Sequence, residues 1–422
     1  MKFYAGDKLH LVMRLTTSNS DTPDLNTSEQ LQQTIIERIQ QSQNQRITFA
    51  EFMRLALYHP QFGYYATPGS IIGPQGDFVT SPHMGHDFGE LVAEQFADMW
   101  AALEQPEHFT VMEMGAGQGL VAVDAIAHLR KHHPDCFAAL NYIIVEKSPA
   151  LKAEQQKRLS LWQQEGLSVE WRSLEAIEPD SIIGCAFSNE LIDAFPVHLV
   201  ELKDQTLQEV WVTHSKEGFT TAPNELSTEQ LKHYFETVGI DLSTGYLDGY
   251  RTEVNLAALD WLAQVSEKLT RGYILTIDYG YTAERYYSQA RSEGTLQCYY
   301  RHSHHNDPFI HIGEQDLTAH IDFTALEKQG DELGLTQLGF TQQGLFLMAL
   351  GLGDRLSTLS TTQSAEAATA KDIQKIMMRR EALQQLISPM GLGNFGVLIQ
   401  GKGLTQKEIA RPLKGLTIPP MF

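Results

Sequence analysis

The chain has 422 residues, enough for one large α/β domain with additions or for two domains. Its 32 Lys and Arg stand against 52 Asp and Glu, a formal net charge of −20, which argues against nucleic acid as a partner because phosphate neutralisation needs surplus cations. No apolar run is long enough to cross a bilayer, and the three scattered cysteines (Cys136, Cys185, Cys298) have neither metal spacing nor an even count, so a reducing, cytoplasmic setting is expected.

In chain order, residues 1–28 read as a loose polar tail, with no apolar stretch or cleavage site of the kind a secretory leader needs. Region 29–108 reads as helical. Leu31, Ile35, Ile36 and Ile39 recur at helical spacing, and Phe49, Phe52, Met53 and Leu57 start a second apolar face that Pro60 ends. Residues 73–82, with two Gly and two Pro, predict an irregular loop. A helix follows over 84–103, with Phe88, Leu91, Val92, Phe96, Met99, Trp100 and Leu103 on one stripe.

Strand–helix alternation then fills 109–402, with strands at 110–114, 142–146, 169–171, 182–190 and 273–280. Residues 197–250 interrupt it as an insertion between the fourth and fifth strands, with a hairpin around Lys203-Asp204-Gln205. The runs 345–350 and 395–399 are expected to pair as an antiparallel edge, 357–369 to form a surface loop, and 403–422 a C-terminal tail. Such alternation predicts an α/β fold with a mostly parallel, doubly wound sheet, which binds ligands outside the carboxyl ends of its strands. Those ends carry Glu113, Glu146, Asn189 with Glu190, and Asp278.

Val111 to Leu120, VMEMGAGQGL, reads as a buried strand running through a glycine turn into a helix. Gly115, Gly117 and Gly119 strip the turn of side chains, leaving only Ala116 and Gln118, so backbone approaches a ligand closely and the helix N-terminus faces it. Leu120 stands where a dinucleotide fingerprint requires its third glycine, which disfavours a dehydrogenase. The alternate-glycine form with Glu113 upstream resembles the S-adenosylmethionine loop of class I methyltransferases; the competing reading is a tight turn with no ligand. Glu146 has two readings as well, a ribose-binding carboxylate or a solvated strand-end acid.

Ser188-Asn189-Glu190-Leu191-Ile192-Asp193 forms the second feature. Glu190 and Asp193 would share a helical face and grip a guanidinium, and one carboxylate would accept its proton during methylation. Equally, Asn189 is a helix cap and the acids answer the helix dipole. A third cluster, Tyr299 to His305 with His311, Asp316, Thr318, His320 and Asp322, matches no metal spacing; a polar loop with structural histidines, and no metal, is expected.

Taken together, Gly76 to Pro82, Glu113 to Gly119, Ser188 to Val197, Asp278-Tyr279-Gly280, Gly294-Thr295-Leu296 with Tyr299 and His302, and Gly313 to Phe323 resemble, in that order, the MidA-like methyltransferases, the family of the mitochondrial complex I assembly arginine methyltransferase. The resemblance spans roughly residues 30 to 402. It implies a class I (Rossmann-like) methyltransferase sheet with an N-terminal helical extension, and S-adenosyl-L-methionine as cofactor. It also implies arginine N-methylation of a respiratory NADH or ferredoxin dehydrogenase subunit during assembly, in the mitochondrial matrix for a eukaryote. By position it assigns Glu113, Gly115, Ala116, Gly117, Gly119 and Glu146 to the cofactor, Asp77 and Thr80 to its lid, and Asn189, Glu190 and Asp193 to the acceptor mouth. A small-molecule methyltransferase and a cofactor-binding assembly chaperone with little catalysis are the alternatives.

Overall fold

The computed structural model describes residues 25–66, 80–301, 303–362 and 369–418; Asp77, His302 and the first 24 residues of the expected tail lie outside them. The first helix, α1 (Leu25–Gln41), already begins inside the stretch expected to be tail. A two-residue strand, β1 (Ile47–Thr48), separates it from α2 (Phe49–Tyr58), whose first turn is capped by the Thr48 side chain accepting from the Glu51 amide. The next helix, α3 (Asp87–Ala102), starts three residues later than its apolar stripe suggested.

The alternation that follows is β2 (Phe109–Met114), α4 (Leu120–His132), β3 (Leu140–Val145), α5 (Pro149–Gln164), β4 (Ser168–Trp171) and β5 (Ile182–Asn189). The insertion holds β6 (His198–Lys203), β7 (Thr206–Ser215), β8 (Gly218–Asn224) and β9 (Arg251–Val254), so it runs slightly past residue 250. After it come α6 (Leu256–Lys268), β10 (Leu269–Asp278), β11 (Gln297–Tyr300), β12 (Asp316–Thr318), α7 (Phe323–Glu332), β13 (Thr336–Gln342), α8 (Gln343–Ala349), α9 (Leu352–Thr362), α10 (Ala370–Ile387) and β14 (Gly396–Lys402).

Among the described residues the main sheet has seven strands in the order β13-β14-β10-β5-β2-β3-β4. The β10-β5-β2-β3-β4 run is parallel, and β14 is antiparallel to both its neighbours. Alternating side chains coat the two faces. Phe109 and Val111 pack with Leu91, Phe96, Ala122 and Ile126 of α3 and α4, whereas Met112 and Met114 pack with Trp261 and Leu262 of α6 and Phe323 and Leu326 of α7. The sheet is therefore doubly wound.

The expected hairpin is present: Lys203 opposes Thr206, and Asp204 and Gln205 take positive φ of 51° and 57° as a two-residue turn requires. The insertion is tied to the N-terminal region. Ile47 pairs with Val212, and Leu31, Ile35, Phe49 and Phe52 share a core with Val210, Val212 and Leu317.

Three local expectations are corrected. The run 345–350 is not a strand: it falls mainly in α8, with Phe346 and Leu347 buried in the same core as Leu383 and Leu386 of α10, and the edge partner of β14 is β13. A six-residue apolar run does not by itself separate strand from buried helix. Residues 357–362 belong to α9 rather than a loop, because Leu352 and Leu359 bury one side of a helical turn. The final segment is docked as far as residue 418: a capping box links Thr405 and Glu408, Leu413 is buried, and the Gly415 amide donates to Gln95 Oε1 at 2.8 Å.

Candidate active site

The sheet order reverses between β2 and β5, because the chain steps from β2 outward to β3 and from β5 the opposite way to β10. A crevice opens at the carboxyl ends there. On the β2 side, Gly115, Gly117 and Gly119 take φ of 66°, 53° and 76°, the left-handed region that glycine enters without strain. The Gly115 amide donates to the Val145 carbonyl (3.0 Å), and the Gly119 amide closes a turn on the Ala116 carbonyl (2.8 Å). A Cβ on Gly115 would lie 2.6 Å from Leu191 Cδ1, so the loops after β2 and β5 touch. A Cβ on Gly117 would meet nothing within 4 Å. Bare backbone thus fronts open space at Gly117, two residues before the Gly119 cap of α4, an arrangement that suits an anionic or nucleoside ligand.

Glu113 lies beneath this loop, 3% exposed, with its Oε2 accepting from the Tyr142 hydroxyl at 2.7 Å. Burial pushes its carboxyl up to about 7 against that hydrogen bond. Glu146, just past β3, accepts the Ser148 amide (2.8 Å) and the Gln155 side chain (3.1 Å), and burial raises its carboxyl above the ordinary range. Gln155 also donates to the Gly117 carbonyl (2.7 Å), while its own oxygen accepts from Trp171 Nε1 (2.9 Å). Sequence reasoning missed Gln155. The available signal was its place at helical spacing between Leu151 and Leu159, an amide in an apolar stripe.

On the β5 side the chain does not enter a long helix. Glu190 takes a left-handed φ of 49°, and a short 3-10 turn covers Ile192–Ala194, so Asn189 caps no helix and the shared helical face expected of Glu190 and Asp193 does not form. The Glu190 amide is held by the Ile277 carbonyl at 2.9 Å. Asp278 organises the turn: its Oδ2 accepts the amides of Leu191 (3.2 Å), Ile192 (3.0 Å) and Asp193 (3.4 Å). Glu190, Asp193 and Asp278 therefore converge. Burial pushes Glu190 up to about 8 and Asp193 up to about 6, and burial with the charges of Asp193 and Glu190 raises Asp278 well above its ordinary range. No Lys, Arg or His pairs with these three among the described residues; besides one another, Asp193 meets the Tyr279 hydroxyl. Asn189 Oδ1 and Asp193 Oδ1 are buried acceptors without a hydrogen-bond donor.

Thr80 is buried and bonds His83 Nδ1 at 2.7 Å, while the next residue, Ser81, donates its amide to Glu190 Oε1 at 3.1 Å. Asn189 Nδ2 reaches the same oxygen at 3.2 Å. The segment at 80–83 thus bridges toward both loops, since the His83 ring also lies beside Gln118.

The histidine-rich cluster divides. The Ala319 amide donates to the Asp193 carbonyl (2.9 Å), which brings β12 to the site. His320 sits between Tyr279 and Tyr281 at ring separations of 5.0 and 5.1 Å, and burial drops its pKa to about 4. His311 stacks on Tyr300 at 3.8 Å, and Asp322 caps α7 through the Ala325 amide. Gly294-Thr295-Leu296 wraps the buried Glu253 carboxylate, which accepts the Thr295 and Leu296 amides, a structural use of that motif.

Comparison with known proteins agrees with this geometry. Residues 91–341 match a family described as "putative S-adenosyl-L-methionine-dependent methyltransferase". A Drosophila melanogaster relative, protein arginine methyltransferase NDUFAF7 homolog, mitochondrial, is 29% identical over 340 residues, covering 74% of this chain and 73% of the relative. The Homo sapiens protein arginine methyltransferase NDUFAF7, mitochondrial, is 26% identical over 345 residues, covering 74% and 72%. A Burkholderia thailandensis protein crystallised with S-adenosyl-homocysteine superposes with a TM-score of 0.78 at 30% identity, covering 94% of this chain and 98% of that one.

Proposed function

The chain belongs to the family of S-adenosyl-L-methionine-dependent methyltransferases, and from that premise we propose that it methylates an arginine side chain of a protein, with a subunit of an NADH or ferredoxin dehydrogenase under assembly as the acceptor. The observation that carries the arginine reading is the convergence of Glu190, Asp193 and Asp278 beside the glycine loop with no cation among them. Buried carboxylates without a counter-ion are unfavourable by themselves and become favourable once a guanidinium supplies charge and N–H donors. The names of the relatives support the same reading.

When bound, the cofactor supplies an electrophilic methyl group on a sulfonium sulfur. The protein's task is then to position the acceptor nitrogen in line and to take a proton. Open backbone at Gly117, the α4 N-terminus and the Glu146 carboxylate fit a nucleoside with an amino-acid tail, with Glu146 on the ribose hydroxyls. Asn189 Oδ1 and Asp193 Oδ1 accept the guanidinium N–H groups. Asp278 holds the Leu191–Asp193 amides and so fixes the direction of Asp193. Glu190, whose carboxyl is pushed up to about 8, is a stronger base than an ordinary carboxylate and receives the proton that the acceptor nitrogen loses on methylation. The Ser81 amide, donating to Glu190 Oε1, steadies that base.

No described helix is long and apolar enough to cross a membrane. We place the reaction where such a subunit is assembled, the cytoplasm or, in a eukaryote, the mitochondrial matrix. The experiment is incubation of the protein and methyl-labelled cofactor with a purified core subunit of such a dehydrogenase. Label on one arginine supports the proposal. Label on other proteins but not on this subunit removes the partner and leaves the chemistry.

A further inference from the structure

Two tyrosines from the N-terminal extension reach the acceptor side of the crevice. The Tyr58 hydroxyl, at the end of α2, donates to the Ala194 carbonyl at 2.9 Å, one residue beyond Asp193. The Tyr65 hydroxyl donates to Asp316 Oδ1 at 2.9 Å. Their rings stack at 5.4 Å with an interplanar angle of 27°, and both stay only half-buried. Because each hydroxyl is already committed as a donor, what the pair offers to the crevice is aromatic surface.

The surroundings of that surface are anionic. Asp193 and Asp316 both act on the two hydroxyls, and Tyr58 also feels the charge of Glu146. The Ala319 amide on the Asp193 carbonyl holds β12, with Asp316 and Thr318, against the same turn. Asp193 Oδ1 is buried there without a hydrogen-bond partner, and the Tyr279 hydroxyl lies against both the Asp193 carboxylate and Thr318.

Resting on the arginine reading above, we infer that Tyr58 and Tyr65 form a cation-binding wall of the acceptor site, holding a guanidinium by its face while Asp193 takes its N–H edge. An aromatic face attracts a cation through the ring quadrupole, and a planar guanidinium stacks where a compact ammonium does not. The two hydroxyl bonds set the ring planes: Tyr65 through Asp316, Tyr58 through the Ala194 carbonyl. The N-terminal extension, which packs on the insertion through a shared apolar core, is thereby part of the acceptor site.

The test is calorimetric binding of N-acetyl-arginine amide, and of its neutral isostere N-acetyl-citrulline amide, to the full chain saturated with S-adenosyl-homocysteine. The wild type is expected to prefer the arginine amide. Tyr58→Leu and Tyr65→Leu, which remove the face, are expected to weaken it by about tenfold, whereas Tyr58→Phe and Tyr65→Phe, which keep the face, stay within about threefold. Citrulline binding and S-adenosyl-homocysteine affinity are expected to be unmoved by all four. Leucine variants that bind the arginine amide like the wild type, that weaken citrulline equally, or that lose S-adenosyl-homocysteine in step would overturn the inference. A wild type that does not distinguish arginine from citrulline refutes the arginine reading itself, and the inference with it.

Discussion

The Gln155 side-chain amide lies 3.1 Å from Glu146 Oε2, and the same nitrogen lies 2.7 Å from the Gly117 carbonyl. One residue on α5 therefore ties the glycine loop to the Glu146 carboxylate. Its other atom is locked by Trp171 Nε1, so the amide has no freedom to flip. Gln155→Leu keeps the volume and leaves the Gly117 carbonyl and Glu146 short of a donor. An unpaired buried polar group costs about 1–3 kcal/mol, so S-adenosyl-homocysteine affinity should fall by roughly tenfold or more. Calorimetry on the variant checks this; an unchanged dissociation constant would show that the tether is idle.

Gly117 and Gly115 should respond differently to alanine. At Gly117 the new methyl meets no protein atom, so the variant pays only the left-handed backbone penalty of about 1–2 kcal/mol, while the methyl intrudes on the ligand. At Gly115 it would lie 2.6 Å from Leu191 Cδ1 and force that side chain out of its packing, on top of the same left-handed penalty. Gly117→Ala is therefore expected to lose cofactor affinity with a small drop in melting temperature, and Gly115→Ala to lose more stability. Thermal melts paired with binding isotherms separate the two.

Glu190 gives a pH signature. Its carboxyl is moved from the ordinary 4.5 up to about 8, so the folded state holds the proton more tightly than the unfolded state. Its stabilising contribution is complete below pH 4.5 and is lost as pH rises through about 8. The ligand-free wild type should lose melting temperature relative to Glu190→Gln across that window. Binding of the arginine amide should run the other way, strengthening as Asp193 ionises near pH 6 and Glu190 near pH 8. Parallel melting curves for wild type and variant would exclude the assignment of Glu190 as a buried, proton-holding group.

Asp193→Asn and Glu190→Gln should both spare S-adenosyl-homocysteine binding, since neither touches the glycine loop or Glu146. Asp193→Asn should chiefly raise KM for the acceptor. Glu190→Gln should chiefly lower kcat, by the 10²- to 10⁴-fold that loss of a general base typically brings, roughly. Steady-state kinetics with the acceptor varied distinguish the two.

Away from the crevice, Glu94 accepts hydrogen bonds from His128 (2.7 Å), His133 (2.9 Å) and Lys414 (2.7 Å), tying the last segment to α3 and α4. Burial would raise this carboxyl, but those three bonds outweigh burial and hold it well below the ordinary range. The stability it lends is present above the ordinary carboxylate pKa and disappears as pH falls toward strong acid. Glu94→Gln should cost about 2 kcal/mol near neutral pH and little in acid, measured by denaturant unfolding at two pH values.

Much of this arrangement was legible in the chain. Alternating β-branched and apolar runs located β2, β3, β4, β5 and β10, because parallel core strands are hydrophobic on both faces and leave strong local signals. The polar residues at their ends, Glu113, Glu146, Asn189, Glu190 and Asp278, followed from those positions. What stayed hidden depended on the third dimension. Leu345 to Leu350 carries the same apolar content as a strand, and only packing on α10 makes it helix. Gln155 stood in an apolar stripe with Leu151 and Leu159, but no local pattern reports its bonds to Gly117 and Glu146. Tyr58 and Tyr65 read as part of a helical extension, and no local pattern reports that they lie against Ala194 and Asp316, 136 and 251 residues away. Asp278 was visible as a strand-end acid, but its grip on three amides of the neighbouring loop was not.

We propose that donor and cationic acceptor meet between the glycine loop and the Glu190–Asp193–Asp278 cluster. The most direct test is amino-acid analysis of protein labelled by this enzyme with S-adenosyl-[methyl-³H]methionine. Recovery of the label as methylarginine, reduced to background by Glu190→Gln while S-adenosyl-homocysteine still binds, is the predicted result. Recovery of the label on another side chain, or in a small-molecule fraction, would contradict it.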